Sequence, residues 1–259
     1  MKGYLGGILA DIGLAWRLLT VLPLPFGPDE PARPAGRAAA YFPLIGLALG
    51  AILAGAGQLL YLFLPEGLAA ALLLLLWVTL TGMLHLDGLM DSCDGLLPPR
   101  DPARRLEIMK DSRVGAFGVI GAILLLLLKF NGLLALNPAL RWPALIVIPA
   151  LARWAMTWSM ARYPLARPEG LSVFFGRGLG WPQVGLATLI AGSTTVISLD
   201  LIPGLLLWGL TWLAATLIAQ FALARIRGLT GDIYGAICEL VEMLLLVGIA
   251  AGLDGFKIE

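Results

Sequence analysis

The stretch HLDGLMDSCDGL, His85 to Leu96, sets Asp87, Asp91 and Asp94 at i, i+4 and i+7. On a helix that spacing lines three carboxylates along one face. Like charges so close stay ionised together only with a cation among them. A hard divalent ion such as Mg²⁺ takes oxygen ligands and bridges to substrate phosphates. In a soluble protein such a stripe is an ordinary solvated helix end. Here it follows directly on the apolar run AAALLLLLWVTLTGML, where an uncompensated carboxylate is costly, and the functional reading gains weight.

Two further polar groupings can cooperate with it. In EIMKDSRVGAFGVIG, Lys110 and Arg113 stand three apart on one helix face, and Gly115 and Gly118 let a backbone or ligand approach closely. That combination suits a phosphate, although positive charges here also serve as membrane anchors. For Arg100, Arg104 and Arg105, anchoring and substrate contact are equally good readings. Arg153, in LARWAMTW, falls within an apolar run, where a guanidinium needs a phosphate or a carboxylate partner. In GLTGDIYGAICELVEMLLL, Asp232 and Glu239 share a helix face and Glu242 lies a little further round. Two acidic clusters with basic groups between them read as a site for one or two metal ions gripping a diphosphate. By spacing, Asp87, Asp91 and Asp94 ligate Mg²⁺, and Glu239 or Asp232 completes the shell or takes a proton. Lys110, Arg113 and Arg153 then hold the diphosphate. His85, the only histidine, sits about 160° round a helix from Asp87. It is expected to buttress the motif rather than act as a base.

The elements that must position these residues are membrane spans. Hydrophobic residues make up 59% of the chain and charged residues 14%, with a mean hydropathy of +0.89, far from a soluble domain. Runs of about 20 apolar residues cross a bilayer as helices, because each backbone polar group must be bonded within its own segment. Seven such runs are expected, at about 38–64, 67–85, 115–136, 142–160, 183–202, 204–223 and 235–253. Tyr4 to Leu22 reads as an interfacial or re-entrant helix, interrupted by Asp11 and Arg17, rather than a cleaved signal peptide. The fold class is therefore an all-α polytopic bundle of about seven transmembrane helices plus this N-terminal helix. No linker or low-complexity tract divides residues 1–259, so one membrane-embedded catalytic domain is expected.

Charge placement orients the bundle. With residues 23–37 cytoplasmic, Arg33, Arg37, Arg100, Arg104, Arg105, Lys110, Arg113, Arg162, Arg167, Arg177, Arg225 and Arg227 all fall inside, against Lys129, Arg141 and Lys257 outside. Both acidic clusters then lie at the cytoplasmic face, although the acids played no part in choosing the topology. Cys93 and Cys238 fall on the same side, where a structural disulfide is not expected. Gly46, Gly50 and Ala54, four apart, suggest a close helix contact. The net charge of +1 gives no sign of a nucleic-acid partner. The lipid bilayer is the partner that composition implies.

The runs HLDGLMDSCDGL, EIMKDSRVGAFGV and GLTGDIYGAICELVE, in this order between spans and preceded by GRAAAYFPLIGLALG, resemble the cobalamin synthase (adenosylcobinamide-GDP ribazoletransferase) family over nearly the whole chain. Cys93 and Met90 stand where that pattern leads one to expect small residues. The resemblance implies a Mg²⁺-dependent enzyme of the cell inner membrane with its active site facing the cytoplasm. Its substrates would be adenosylcobinamide-GDP and α-ribazole or α-ribazole 5′-phosphate, and its products adenosylcobalamin or its 5′-phosphate plus GMP. A homo-oligomer and other late cobamide-pathway enzymes are the expected protein partners. The residues alone leave two alternatives open. One is another Mg²⁺-dependent membrane transferase acting on a diphosphate, like the CDP-alcohol phosphotransferases or prenyltransferases. The other is a cation-coupled transporter, against which the acids' clustering at one face counts.

Overall fold

A computed structural model of the protein describes residues 2–24 and 34–252, so Arg33 and Lys257 of the charge count lie outside the described residues. The chain forms α1 (Lys2–Leu19), α2 (Phe42–Phe63), α3 (Glu66–Leu80), α4 (Leu84–Leu96), α5 (Pro102–Ile108) and α6 (Ala116–Ala135). It continues with α7 (Arg141–Arg162), α8 (Leu171–Gly176), α9 (Trp181–Ser198), α10 (Leu201–Ile226) and α11 (Gly231–Ala250). Short 3₁₀ turns lead into α2 and α7. Among the described residues there is no β-strand, only a single bridge between Leu165 and Leu229.

The all-α polytopic class is borne out, with a difference in the spans. Among the described residues five helical stretches are long and apolar enough to cross a membrane: Ala35–Phe63, Ala116–Ala135, Pro138–Arg162, Leu201–Ile226 and Gly231–Ala250. A sixth arises if α3 and α4 count as one bent span. The expected span 67–85 stops at Leu80, and α4 leaves at 86° to α3. Gly82 and Met83 both adopt φ of 61°, the left-handed region that ends a right-handed helix. At 15 residues α3 reaches only about 22 Å, short of a bilayer core. The expected span at 183–202 is α9, an 18-residue helix opening on Trp-Pro-Gln that is not among the five.

The segment read as an interfacial or re-entrant helix is α1, which does not qualify as a span. Its exit is pinned to the end of α3, where the Val21 amide donates to the Leu80 carbonyl at 3.0 Å. Asp11 pairs with Arg37 at 3.6 Å just ahead of α2.

The centre of the bundle is α7, most of whose residues are buried. Gly46 and Gly50 let α2 lie against its backbone: a methyl at Gly50 would meet the Leu145 carbonyl at 2.5 Å, and one at Gly46 would strike Pro149. The glycine spacing thus marks a contact of backbone on backbone, as expected. By contrast α6 and α10 keep Ile120, Ile123, Leu124, Leu127, Leu205, Leu206, Leu213 and Leu217 exposed along their outer faces. Lipid covers such faces in a polytopic protein, so apolar exposure there costs nothing.

Candidate active site

After the 86° turn, α4 lies against the start of α11. Gly88 makes this possible, since a methyl there would meet the Asp232 carbonyl at 2.8 Å. On the facing helix a methyl at Gly235 would sit 3.1 Å from the His85 carbonyl. This paired notch brings the first acidic motif to the last one. Asp87, Asp94, Asp232 and Arg167 all lie within electrostatic reach of Asp91. Asp87 is exposed, and Asp91 and Asp232 are half-buried.

Asp232 is held from two sides. The Thr230 hydroxyl donates to its Oδ2 at 3.1 Å, and Arg167 Nη1 stands 3.4 Å from the same oxygen. Thr230 also accepts from the Ile233 amide, capping α11, so one side chain both starts the helix and orients the acid. Arg167 Nη2 donates to the Leu106 carbonyl at 3.0 Å, which ties the loop after α7 to α5. Sequence reasoning counted Arg167 only among the topology-setting charges and passed over Thr230. The short spacing of Thr230 to Asp232 was the available signal; nothing local marks Arg167.

Asp94 has a different occupation from the one expected. Its two oxygens accept the amides of Gly115 at 2.8 Å and Gly118 at 2.9 Å, so it caps the start of α6. Gly115 and Gly118 do permit a close approach, but what approaches is this carboxylate, which a methyl at either position would strike. Arg105 plays the matching part beside it, at the C-terminal end of α4. It donates to the carbonyls of Gly95 at 2.9 Å and Leu96 at 2.5 Å, closing the helix's C-terminus.

Glu239 is not with the rim acids at all. Two turns below Asp232, about 10 Å along the axis, its Oε2 accepts from Lys129 Nζ at 2.6 Å. The same ammonium reaches Glu242 Oε2 at 2.5 Å, and Arg153 Nη1 pairs with Glu242 Oε1. Lys129, Arg153 and Glu242 are each 0% exposed. Lys129 also lies 4.9 Å from the Trp77 ring centroid. Lys129, counted among the charges of the outer side, is thus buried inside the bundle. Arg153, given a phosphate or an acid as its expected partner, has the acid. Two cations offset two carboxylates, the arrangement a low-dielectric interior demands.

His85 adjoins this network. Arg153 Nη2 lies 3.5 Å from His85 Nδ1. A guanidinium can only donate, so Nδ1 accepts and Nε2 carries the hydrogen. That agrees with a buttressing role and leaves Nε2–H facing elsewhere.

Lys110 and Arg113 do not join the rim acids. Both are exposed on the turn between α5 and α6, and Arg113 forks onto Asp111, its Nη2 at 2.6 Å. The fork holds the Asp111 carboxyl down at about 2.

Among the described residues no three of His, Cys, Asp or Glu converge tightly enough to cage an ion. The set Asp87, Asp91, Asp94 and Glu239 therefore forms no ready-made metal cage: Asp94 faces amides and Glu239 faces an ammonium. Asp87 and Asp91 have no ion-pair partner among the described residues, and Asp232 has a single one in Arg167. Hard oxygen donors with uncompensated charge fit Mg²⁺, which binds through one or two carboxylates plus substrate phosphates.

Beside Asp87 and Asp232 opens a cavity of about 220 Å³, walled by α1, α2, α4, α7, α8 and α11. Its lining includes Phe42, Phe175, His85, Tyr234 and Arg167.

Residues 11–250 match the family model described as Cobalamin-5-phosphate synthase. A protein of Desulforamulus reducens named Adenosylcobinamide-GDP ribazoletransferase is 38% identical over 95% of this chain and 98% of its own length. Proteins of the same name from Thermosynechococcus vestitus and Desulfitobacterium hafniense are 43% and 41% identical, over 88% and 93% of this chain and 92% and 96% of their own lengths. No solved structure matches the chain.

Proposed function

The chain belongs to the cobalamin-5-phosphate synthase family, and from that premise we propose that it joins adenosylcobinamide-GDP to α-ribazole, or its 5′-phosphate, with release of GMP. The observation that carries this reading is that Asp87 and Asp232 line one cavity, with Asp91 within electrostatic reach of both, through a glycine notch between helices far apart in sequence. The matching relatives give no support to a CDP-alcohol phosphotransferase, a prenyltransferase or a transporter.

The reaction forms a bond from the ribazole 3′-oxygen to the phosphorus bearing cobinamide and breaks the bridging P–O bond, whose electron pair leaves with GMP. Asp87, Asp91 and Asp232 would hold Mg²⁺, one or two of them together with substrate phosphates, and the ion would supply charge neutralisation on the diphosphate. Arg167, paired to Asp232 and lining the cavity, adds a fixed cation that can meet a phosphoryl oxygen. The carboxylates can also accept the 3′-hydroxyl proton. Such a transfer needs alignment and charge neutralisation more than covalent help. The notch supplies alignment by fixing α4 against α11. Asp94 and Glu239 contribute from behind, one by seating α6 and the other by balancing Lys129.

The inner membrane, with this rim at the cytoplasmic face, is the location supported by the positive charges on the same side. The test is to incubate membranes with both nucleotide substrates and follow GMP with and without Mg²⁺. Release that depends on both substrates and on the metal is expected. GMP release that ignores α-ribazole, or persists in excess chelator, overturns the reading.

A further inference from the structure

A second cavity lies at the end of the bundle opposite the acidic rim. Phe42 and Met160 line the rim cavity, whereas Tyr61, near the end of α2, and Arg141, the first residue of α7, line this one. Its wall includes Ala54, Gly57 and Leu145, together with Gln58 and Trp142, which are both exposed. Leu59, Leu62 and Phe63, on the same turns of α2, are exposed apolar side chains of the kind that lipid covers.

Arg141 is fixed here between a ring and an acid. Its guanidinium carbon stands 4.0 Å from the Tyr61 ring centroid, and Nη2 donates to Glu66 Oε1 at 2.7 Å. Tyr61 is held in turn, its hydroxyl donating to the Leu133 carbonyl at 3.2 Å. Glu66 is the one hydrogen-bond acceptor of the Arg141 side chain among the described residues, so most of the five N–H donors of the guanidinium are still to be used. Both members of the pair can be reached from outside: the Arg141 side chain is 16% exposed and that of Glu66 64%. A surface ion pair alone contributes little. This one stands on an aromatic ring at the end of two packed helices, at the depth where indole and phenol side chains meet lipid headgroups.

We propose that this cavity seats one phospholipid with a primary-amine headgroup, in the leaflet opposite the rim, its phosphate on Arg141 and its ammonium on Glu66. The inference is independent of the transferase reading.

Charge complementarity selects this occupant. A phosphoethanolamine headgroup joins a phosphate anion to an ammonium through two carbons, the mirror image of a guanidinium beside a carboxylate. The guanidinium fork suits phosphate oxygens, and the ammonium brings three N–H donors to Glu66. A phosphoglycerol headgroup offers the same phosphate without a cation and sets an anion against Glu66. A choline headgroup has the cation but no N–H donor. Free phosphate meets the same repulsion from Glu66 and makes no use of Ala54, Gly57 and Leu145 or of the exposed leucines beside them, against which an acyl chain can lie. Such a lipid would tie the first turn of α7, the central helix, to α2 and to Glu66 at the start of α3.

The test uses the full chain, purified in detergent and stripped of lipid, with retention of added lipid read by native mass spectrometry and by the thermal midpoint. The probes are phosphatidylethanolamine, phosphatidylcholine and phosphatidylglycerol with identical acyl chains, and inorganic phosphate. Wild-type protein is expected to retain phosphatidylethanolamine about fivefold better than either other lipid, the upper range for a partly exposed charge pair, and to gain the largest midpoint shift from it. Arg141→Leu should weaken all three lipids, and Arg141→Lys, which keeps a cation, should recover part of the loss. Glu66→Gln should erase the preference by raising phosphatidylglycerol to the level of phosphatidylethanolamine, a gain that misfolding cannot produce. Equal retention of the three lipids by wild type, or a preference that survives Glu66→Gln, overturns the proposal. A midpoint shift that inorganic phosphate reproduces alone overturns it as well, assigning the cavity to a free anion.

Discussion

The two acidic regions that meet along α11 obey opposite rules. At the rim, Asp87, Asp91 and Asp232 gather with Arg167 as their one close cation among the described residues. Two turns below, Glu239 and Glu242 are matched by Lys129 and Arg153, with the Lys129 contacts at 2.6 and 2.5 Å. A surplus of negative charge is tolerable only where water or a bound cation can reach it, while inside the bundle every charge must be balanced in place. The rim is thus built to receive charge from outside, and the interior to accept none. Glutamate opposite lysine at depth and aspartate opposite aspartate at the surface are the same chemistry under different dielectric conditions.

The largest effect is expected from breaking the balanced region. Lys129→Met leaves two buried carboxylates sharing one guanidinium and should cost about 3–5 kcal/mol of stability, read as a lower thermal midpoint in detergent. Adding Glu239→Gln removes one stranded charge and should return part of it. A single variant as stable as wild type would show that the interior is wet after all.

The converse change belongs to the rim. Asp91→Asn should lower GMP release by about a hundredfold or more, the several kcal/mol a metal carboxylate contributes to the transition state. The thermal midpoint should barely move, because the substitution relieves repulsion. A wild-type rate in this variant removes Asp91 from the mechanism.

A subtler change keeps every charge and alters only the spacing. Gly88→Ala drives a methyl at the Asp232 carbonyl and should cost about 1–3 kcal/mol as α11 shifts. Turnover should fall further than stability does, because the acids part. If activity survives while stability drops, the notch matters for packing alone.

The smallest effect separates capping from catalysis at the edge of the rim. Asp94→Ala removes the acceptor for the Gly115 and Gly118 amides. It should cost about 0.5–2 kcal/mol, the range for losing a helix cap, and the Mg²⁺ concentration for half-maximal rate should stay unchanged. A large shift in that concentration would return Asp94 to the metal set.

Particular residues show how far sequence pattern carried. Gly46 and Gly50 announced a close helix contact, though not that α7 makes it, because backbone approach depends only on a missing side chain, which sequence states outright. The run TGM did not announce the 86° bend: a lone glycine near a helix end is compatible with many exits, and the direction of α4 follows from what it packs against. Arg153 was legible as needing an anion, but whether that anion is a ligand or Glu242 depends on a helix far along the chain. Tyr234 and Arg167 carried no signal, being ordinary residues until the cavity gave them a common wall.

The sequence by itself determined a helical membrane protein and marked the acids that need a counter-charge. Apolar run length, charge bias and spacing are local properties, and bilayer and helix geometry turn them directly into structure. Only the tertiary structure decided which acids meet. A carboxylate's role depends on the nearest opposite charge, and for Asp94, Glu239 and Glu242 that charge or dipole arrives on another helix, across distances that no spacing along the chain records.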